Sequence, residues 1–297
     1  MHLCLSPIRL VLVLIAASAI LAAQEPQPPA PVAPAPAAAP GPAAPSPSAK
    51  SETPNPDNAW SIELLYWLTH ANPRLSGGGQ ATAFETVGPI GPSFNSPGVE
   101  GSFPLNKNDI LQVSLFQTDG RGASIASQAL SLYGTAYTAG DFLQNQYRVR
   151  SAKASFQDIL YPFPNAGAKL RFRTLWEVQY LDVSTRVDAP LDTSTVSSTG
   201  TFPSTESSHQ VFLPTFGASL HYDVSSHFSL EVKGSAFGIP HHAYIADSDA
   251  TALYQIGPVQ ILIGGKFLGF KTSPKSEEYV KGPMYGAIVG LRYTIRE

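Results

Sequence analysis

The chain has 297 residues, 43% of them hydrophobic and only 14% charged, with a formal net charge of −3. Near-neutrality excludes a nucleic-acid binder that works by counterion release, and a single cysteine, Cys4, excludes a disulfide-stapled scaffold or a thiolate metal cluster. Charge this far below the usual ~25%, with abundant Gly, Tyr and Phe, points away from a helical cytosolic enzyme.

Residues 1–23 read as a secretory signal. Arg9 supplies a basic start, Leu10 to Ala23 is a run of apolar and small residues, and Ala22-Ala23 offers a cleavage site before Gln24. The run is shorter than the ~20 residues a spanning helix needs. Cys4 precedes it and so leaves with the signal. Residues 24–58 form a Pro/Ala-rich linker, with 12 of the 27 prolines between Pro26 and Pro56. Proline removes backbone donors and the segment has almost nothing to bury, so a disordered, extended tether is expected. It reads as a solubilising tail, with a periplasmic docking motif as the sharper alternative.

From residue 59 to 297 the signal is period two. In the clearest segment, Leu170, Phe172, Trp176, Val178 and Tyr180 share one face, against Lys169, Arg171, Arg173, Glu177 and Gln179 on the other. Nine further segments behave alike. They start near Trp60, Val99, Leu111, residue 142, Phe212, Phe228, Asp247, Val259 and Tyr285. The fourth of these, 142–161, is ambiguous: Ala152, Ala154, Phe156 and Leu160 are apolar, but Asp158 interrupts them. A hairpin beyond the ten is possible within 119–161. Pro214 inside its segment implies a bulge or a slipped register.

Short links at Asn106–Asn108, Pro162–Ala166, Asp223–Ser226 and Gly257-Pro258 alternate with long ones at 70–97, 119–140, 183–207 and 272–283, and with a shorter link at Pro240–His242. That order fits a closed antiparallel up-and-down barrel of about ten strands (8–12), all-β, with both ends of the chain on the short-turn side. Aromatic residues fall at strand ends: Trp60, Tyr161, Phe163, Tyr222, Phe228 and Tyr293 at the short-turn rim, Tyr180 and Phe270 near the other. That is the placement of interfacial girdles in a transmembrane barrel. A soluble β-sandwich also alternates, but carries more Lys and Glu outside; a lipocalin-like barrel would be shorter and greasy within.

These residues resemble bacterial outer-membrane β-barrel proteins, the broad group of porins and small structural barrels. The resemblance covers roughly 60–297 and includes the last strand, Gly290 to Ile295, which is similar to the C-terminal signal read by the barrel-assembly machinery. It departs in ending on Arg296-Glu297 rather than an aromatic residue, and in having Ile288 where a polar residue is common. The resemblance implies outer-membrane lipid, lipopolysaccharide and the assembly machinery as partners, no nucleic acid and no organic cofactor.

With the apolar face on lipid, the interior collects Lys169, Arg171, Arg173, Lys233, Lys266 and Arg292, with Glu63, Glu100, Glu177, Glu231, Asp247 and Asp249. These can line a narrow channel or pair and close it. Ten strands lie near the eight-stranded closed limit, so a largely occluded lumen with a structural or weakly pore-forming role is expected. A different class, an outer-rim hydrolase, would use Asp247 and Asp249 beside His241-His242 to activate water. No second Asp-x-His element accompanies them. The same His and Asp residues have no diagnostic metal-ligand spacing. His209, His221 and His227 read as solvent-bonded residues near turns. Gly77-Gly78-Gly79 reads as a loop, and Asp192 to Ser208 as a mobile exterior loop.

Overall fold

The computed structural model describes residues 59–71, 73–76, 91–126, 129–160, 169–191, 202–240, 242–272 and 279–295. The signal, the linker, Tyr161, Phe163, the Pro162–Ala166 turn, Gly77–Gly79 and His241 lie outside them. The strands are β1 (Trp60–Ala71), β2 (Arg74–Ser76), β3 (Ser93–Asn95), β4 (Pro97–Pro104), β5 (Asp109–Ile125), β6 (Leu130–Leu132), β7 (Thr135–Tyr137), β8 (Phe142–Leu160), β9 (Leu170–Asp188), β10 (Ser204–Asp223), β11 (Phe228–Gly238), β12 (Tyr244–Ile256), β13 (Val259–Lys271) and β14 (Tyr279–Ile295).

Antiparallel pairing runs β1-β4-β5-β8-β9-β10-β11-β12-β13-β14, and β1 pairs with β14 from Trp60↔Ile295 to Ala71↔Met284. The sheet is therefore a closed ten-stranded barrel. Closure rules out the β-sandwich. Short β2 and β3 extend the β1 and β4 positions by pairing with β14 and β5. The 119–161 stretch does hold a hairpin, β6–β7, but it forms its own two-stranded sheet and adds no strand to the barrel.

Turn chemistry fixes the short-turn rim. The Asn106 carboxamide oxygen accepts the Asn108 and Asp109 N–H groups at 2.8 and 2.9 Å, an Asx turn. Gly257, at φ +59°, supplies the left-handed residue of the two-residue β12–β13 turn. Pro214 sits in an unbroken register opposite Val178, so the expected bulge is absent. The reason is parity. Asp223 donates to the Lys169 carbonyl and Ala189 to that of Pro203, which makes odd residues of β10 the ones bonded to β9. Pro214 is even and faces the β11 side, so its missing N–H takes nothing from the β9 ladder.

The barrel has two halves with opposite polarity, and β9 shows the switch. On its outward face Leu170, Phe172, Trp176, Val178 and Tyr180 give way to Asp182, Ser184, Arg186 and Asp188. On its inward face Arg171, Arg173, Glu177 and Gln179 give way to Leu181, Val183 and Val187. The change recurs on β8, where outward Arg148 and Arg150 and inward Tyr147 and Val149 lie on the long-loop side of outward Phe156 and inward Ser155. The short-turn half thus carries an exposed apolar band around a polar interior. The long-loop half holds an apolar core that includes Leu143, Val183, Val211, Ile245, Leu268, Phe270 and Met284.

Several expected loops are strand as a consequence. β9 continues to Asp188, β10 begins at Ser204 within the expected mobile loop, and β5 reaches Ile125. The end of an apolar outward face marks the end of one environment, not of the strand. Phe270, expected in an aromatic girdle, is fully buried in the core instead. The β6–β7 hairpin packs against this core through Leu132 and Tyr137; the Tyr137 hydroxyl donates to the Val187 carbonyl at 3.1 Å, and the Tyr133 hydroxyl lies 3.1 Å from both Thr185 Oγ1 and His209 Nε2.

Candidate functional site

Strand register gathers the interior charges into one layer in the short-turn half. Glu63 on β1 lies opposite Arg292 of β14 on one side and Glu100 of β4 on the other. Asp249 lies between Lys233 of β11 and Lys266 of β13. His221 lies between Arg171 and Glu231. Each of these follows from inward parity on neighbouring strands: the same alternation that turns Ile62, Leu64 and Val232 outward turns their neighbours inward.

Side chains then bridge strands that are not neighbours. Lys153 of β8 reaches Asp247 of β12 at 3.0 Å and Glu177 of β9 at 3.6 Å; Lys266 holds the other Asp247 oxygen at 2.6 Å. Lys233 of β11 reaches Glu100 of β4 at 3.5 Å. Glu231 is the hub, 3.2 Å from Arg173, 3.7 Å from His221, 3.8 Å from Arg292 and 3.9 Å from Lys233. Arg292 also pairs with Glu63 at 2.6 Å, and Asp223 accepts from Arg171 at 2.8 Å and lies 3.1 Å from His221. Amides extend the network: Gln157 donates to Gln112 at 2.6 Å, and Gln112 donates to Glu100. Burying so many charges is tolerable because each faces opposite charge.

The space left among these groups is a cavity of about 50 Å³ lined by Glu63, Glu100, Lys153, Lys233, Asp249 and Arg292 with their neighbours. Room of that size takes a few waters, each needing ~10–15 Å³ and two to four polar partners.

Of the twelve charged residues expected inside, eleven face the interior: Glu63, Glu100, Arg171, Arg173, Glu177, Glu231, Lys233, Asp247, Asp249, Lys266 and Arg292. Lys169 is placed differently. It precedes β9 and is exposed at the rim. Lys153, His221 and Asp223 were missed. Lys153 has the inward parity of its strand, a signal carried by the outward Ala154 and Phe156. His221 is buried rather than solvent-bonded, and His209 lies within β10 against Tyr133; of these three, His227 sits exposed in a turn. Trp60, Tyr222 and Tyr293 are exposed near the short-turn rim, Phe228 is half-buried there, and Tyr180 faces outward where β9 changes polarity. Of the described residues of the hydrolase reading, Asp247 is held inside by two lysines while His242 is exposed in the β11–β12 turn, so these two are not gathered at the outer rim.

The architecture is a closed antiparallel ten-stranded β-barrel, a fold it shares with a solved bacterial outer-membrane protein. Among solved structures the chain is similar to the outer membrane protease OmpT from Escherichia coli, at 12% identity and a TM-score of 0.52, covering 83% of this chain and 100% of that one. It is also similar to Ail, the attachment invasion locus protein of Yersinia pestis (10% identity, TM-score 0.32, 80% and 99% covered), and to the Pseudomonas putida toluene transporter TodX (10% identity, TM-score 0.27, 82% and 93% covered). The likeness is one of fold, and it rests on the first of the three. No family model matches the chain, and no curated protein matches it.

Proposed function

We propose that the chain is a structural outer-membrane barrel whose interior is closed to solutes. The observation that carries this reading is the set of ion pairs crossing the lumen, Lys153–Asp247 and Lys233–Glu100 above all; the cavity among them has room for a few waters. An apolar core on the long-loop side supports it, because packed Leu, Val and Phe side chains offer water and ions no hydrogen-bond partners. The exposed apolar band, including Leu64, Trp176, Phe216 and Ile263, supports burial in hydrocarbon.

On this reading residues 1–23 direct export and are removed, residues 24–58 remain in the periplasm, and the long-loop half stands clear of the outer leaflet. The barrel-assembly machinery inserts the chain, and its outer surface meets lipid and lipopolysaccharide. Planar-bilayer recording of the purified full chain tests the closed lumen. Flat traces are expected; large, stable single-channel steps would establish a porin-like pore instead.

A further inference from the structure

The barrel is lopsided. β5, β8, β9 and β10 are 17, 19, 19 and 20 residues long, whereas β11, β12 and β13 are 11, 13 and 13. β10 pairs with β9 from Ser204 to Tyr222, but with β11 only from Phe216 to Asp223. Val224 donates to the Phe228 carbonyl, so even residues of β10 are the ones directed toward β11. Pro214 then stands where the β11 ladder stops, and Pro240 occupies the β11–β12 turn, so neither continues the pairing. Above them, Ser204, Glu206, Ser208, Gln210 and Phe212 direct their N–H and C=O groups to a side where no strand pairs among the described residues.

We propose that this edge of β10, Ser204–Phe212, takes an extended polypeptide as an added antiparallel strand. It offers five donors and five acceptors over ~27 Å of strand. Natural sheets blunt such edges with lysine, proline or a bulge. Here the register is unbroken, and Glu206 is the one charge between Ser204 and Leu213. A second copy in the same membrane is excluded as the occupant by geometry. Barrel strands tilt by ~35–45°, so two copies related by an axis along the membrane normal would cross their β10 strands at roughly 70–90° instead of pairing them. The occupant is a separate extended chain, held by its main chain, with a basic side chain favoured opposite Glu206. The inference stands whether or not the lumen conducts. It rests on the proposed membrane reading for the side on which the edge is presented and for the exclusion of a second copy.

Residue-resolved amide exchange on the full chain in nanodiscs tests it, using a nine-residue Thr/Val peptide carrying one Lys and N-methylated at every second residue. In the free protein the Glu206, Ser208, Gln210 and Phe212 amides should exchange fast, while Thr205, Ser207, His209 and Val211 are protected by β9. The peptide should slow the first set at least about tenfold and leave the second unchanged. Ser208→Pro should abolish the response yet keep the second set protected, since the proline falls on the open side as Pro214 does. Slow exchange of the first set without peptide would mean that the chain or another copy already covers the edge, and would overturn the proposal. So would fast exchange at millimolar peptide, or an equal response to a fully N-methylated control.

Discussion

Glu231 shows how a single carboxylate organises the interior. It is 2% exposed and within 4 Å of three bases and one histidine. Removing it leaves Arg173, Lys233 and Arg292 with reduced compensation, and breaking a buried charge network from one side costs ~3–5 kcal/mol. Glu231→Ala is therefore expected to lower the temperature at which the extracted barrel loses its compact gel migration, and Glu231→Gln to lower it less. Tyr137 gives a second residue-level test, on the hairpin outside the barrel wall. Burial, then the Asp188 charge, pushes its phenol up to about 12. An unfolded tyrosine ionises near pH 10, so the unfolded chain releases its proton first. The docked hairpin should lose stability as pH rises from about 10 toward about 12. A tyrosinate titration of wild type against Tyr137→Phe should show one late-titrating phenol fewer in the variant.

At the scale of the strand, β9 presents two outward polarities. Val178 and Ser184 both face outward, three alternations apart, yet one lies in the apolar band and the other in the polar wall. An arginine on a lipid face costs ~2–4 kcal/mol near the midplane and little beyond the interface. Val178→Arg should destabilise by about that amount in urea unfolding from lipid, while Ser184→Arg should stay within ~0.5 kcal/mol. Equal effects would show that the two halves share one environment. The same inversion explains the polar row on the outside of the wall, where Arg148 pairs with Asp119 at 2.6 Å and Arg186 with Asp188 at 3.1 Å. Glycine serves a different purpose on β5. A Cβ on Gly120 would lie 2.2 Å from the Tyr147 ring, so the absence of a side chain there is what lets the ring pack flat inside.

For the whole molecule, the two halves divide the work of holding the barrel shut. The charged layer supplies transverse ion pairs, and the apolar core above it supplies close packing. Loss of the charged layer alone should therefore leave the core as a barrier. A Lys153→Ala, Lys233→Ala double variant is expected to stay nonconducting in planar bilayers, because Leu181, Val211 and Phe270 still fill the long-loop half. Conductance in that variant, with none in wild type, would show that the ion pairs are the sole seal.

How much of this was legible beforehand follows from which physics is local. Period-two alternation with spaced short turns defined ten strands, their inward and outward faces and the closed barrel, because every residue on a barrel strand faces one of only two sides. The interior face of Glu63, Glu177 and Glu231 could be read for the same reason. Strand length could not, since the alternation of β5, β8, β9 and β10 reverses its polarity partway along each strand, and a reversal reads as an ending. Lys153 reaching Asp247, His221 meeting Glu231, and the open side of β10 were decided only by tertiary structure. Each depends on which strands stand opposite or adjacent and where a neighbour stops, which is a property of the closed sheet and not of any one segment.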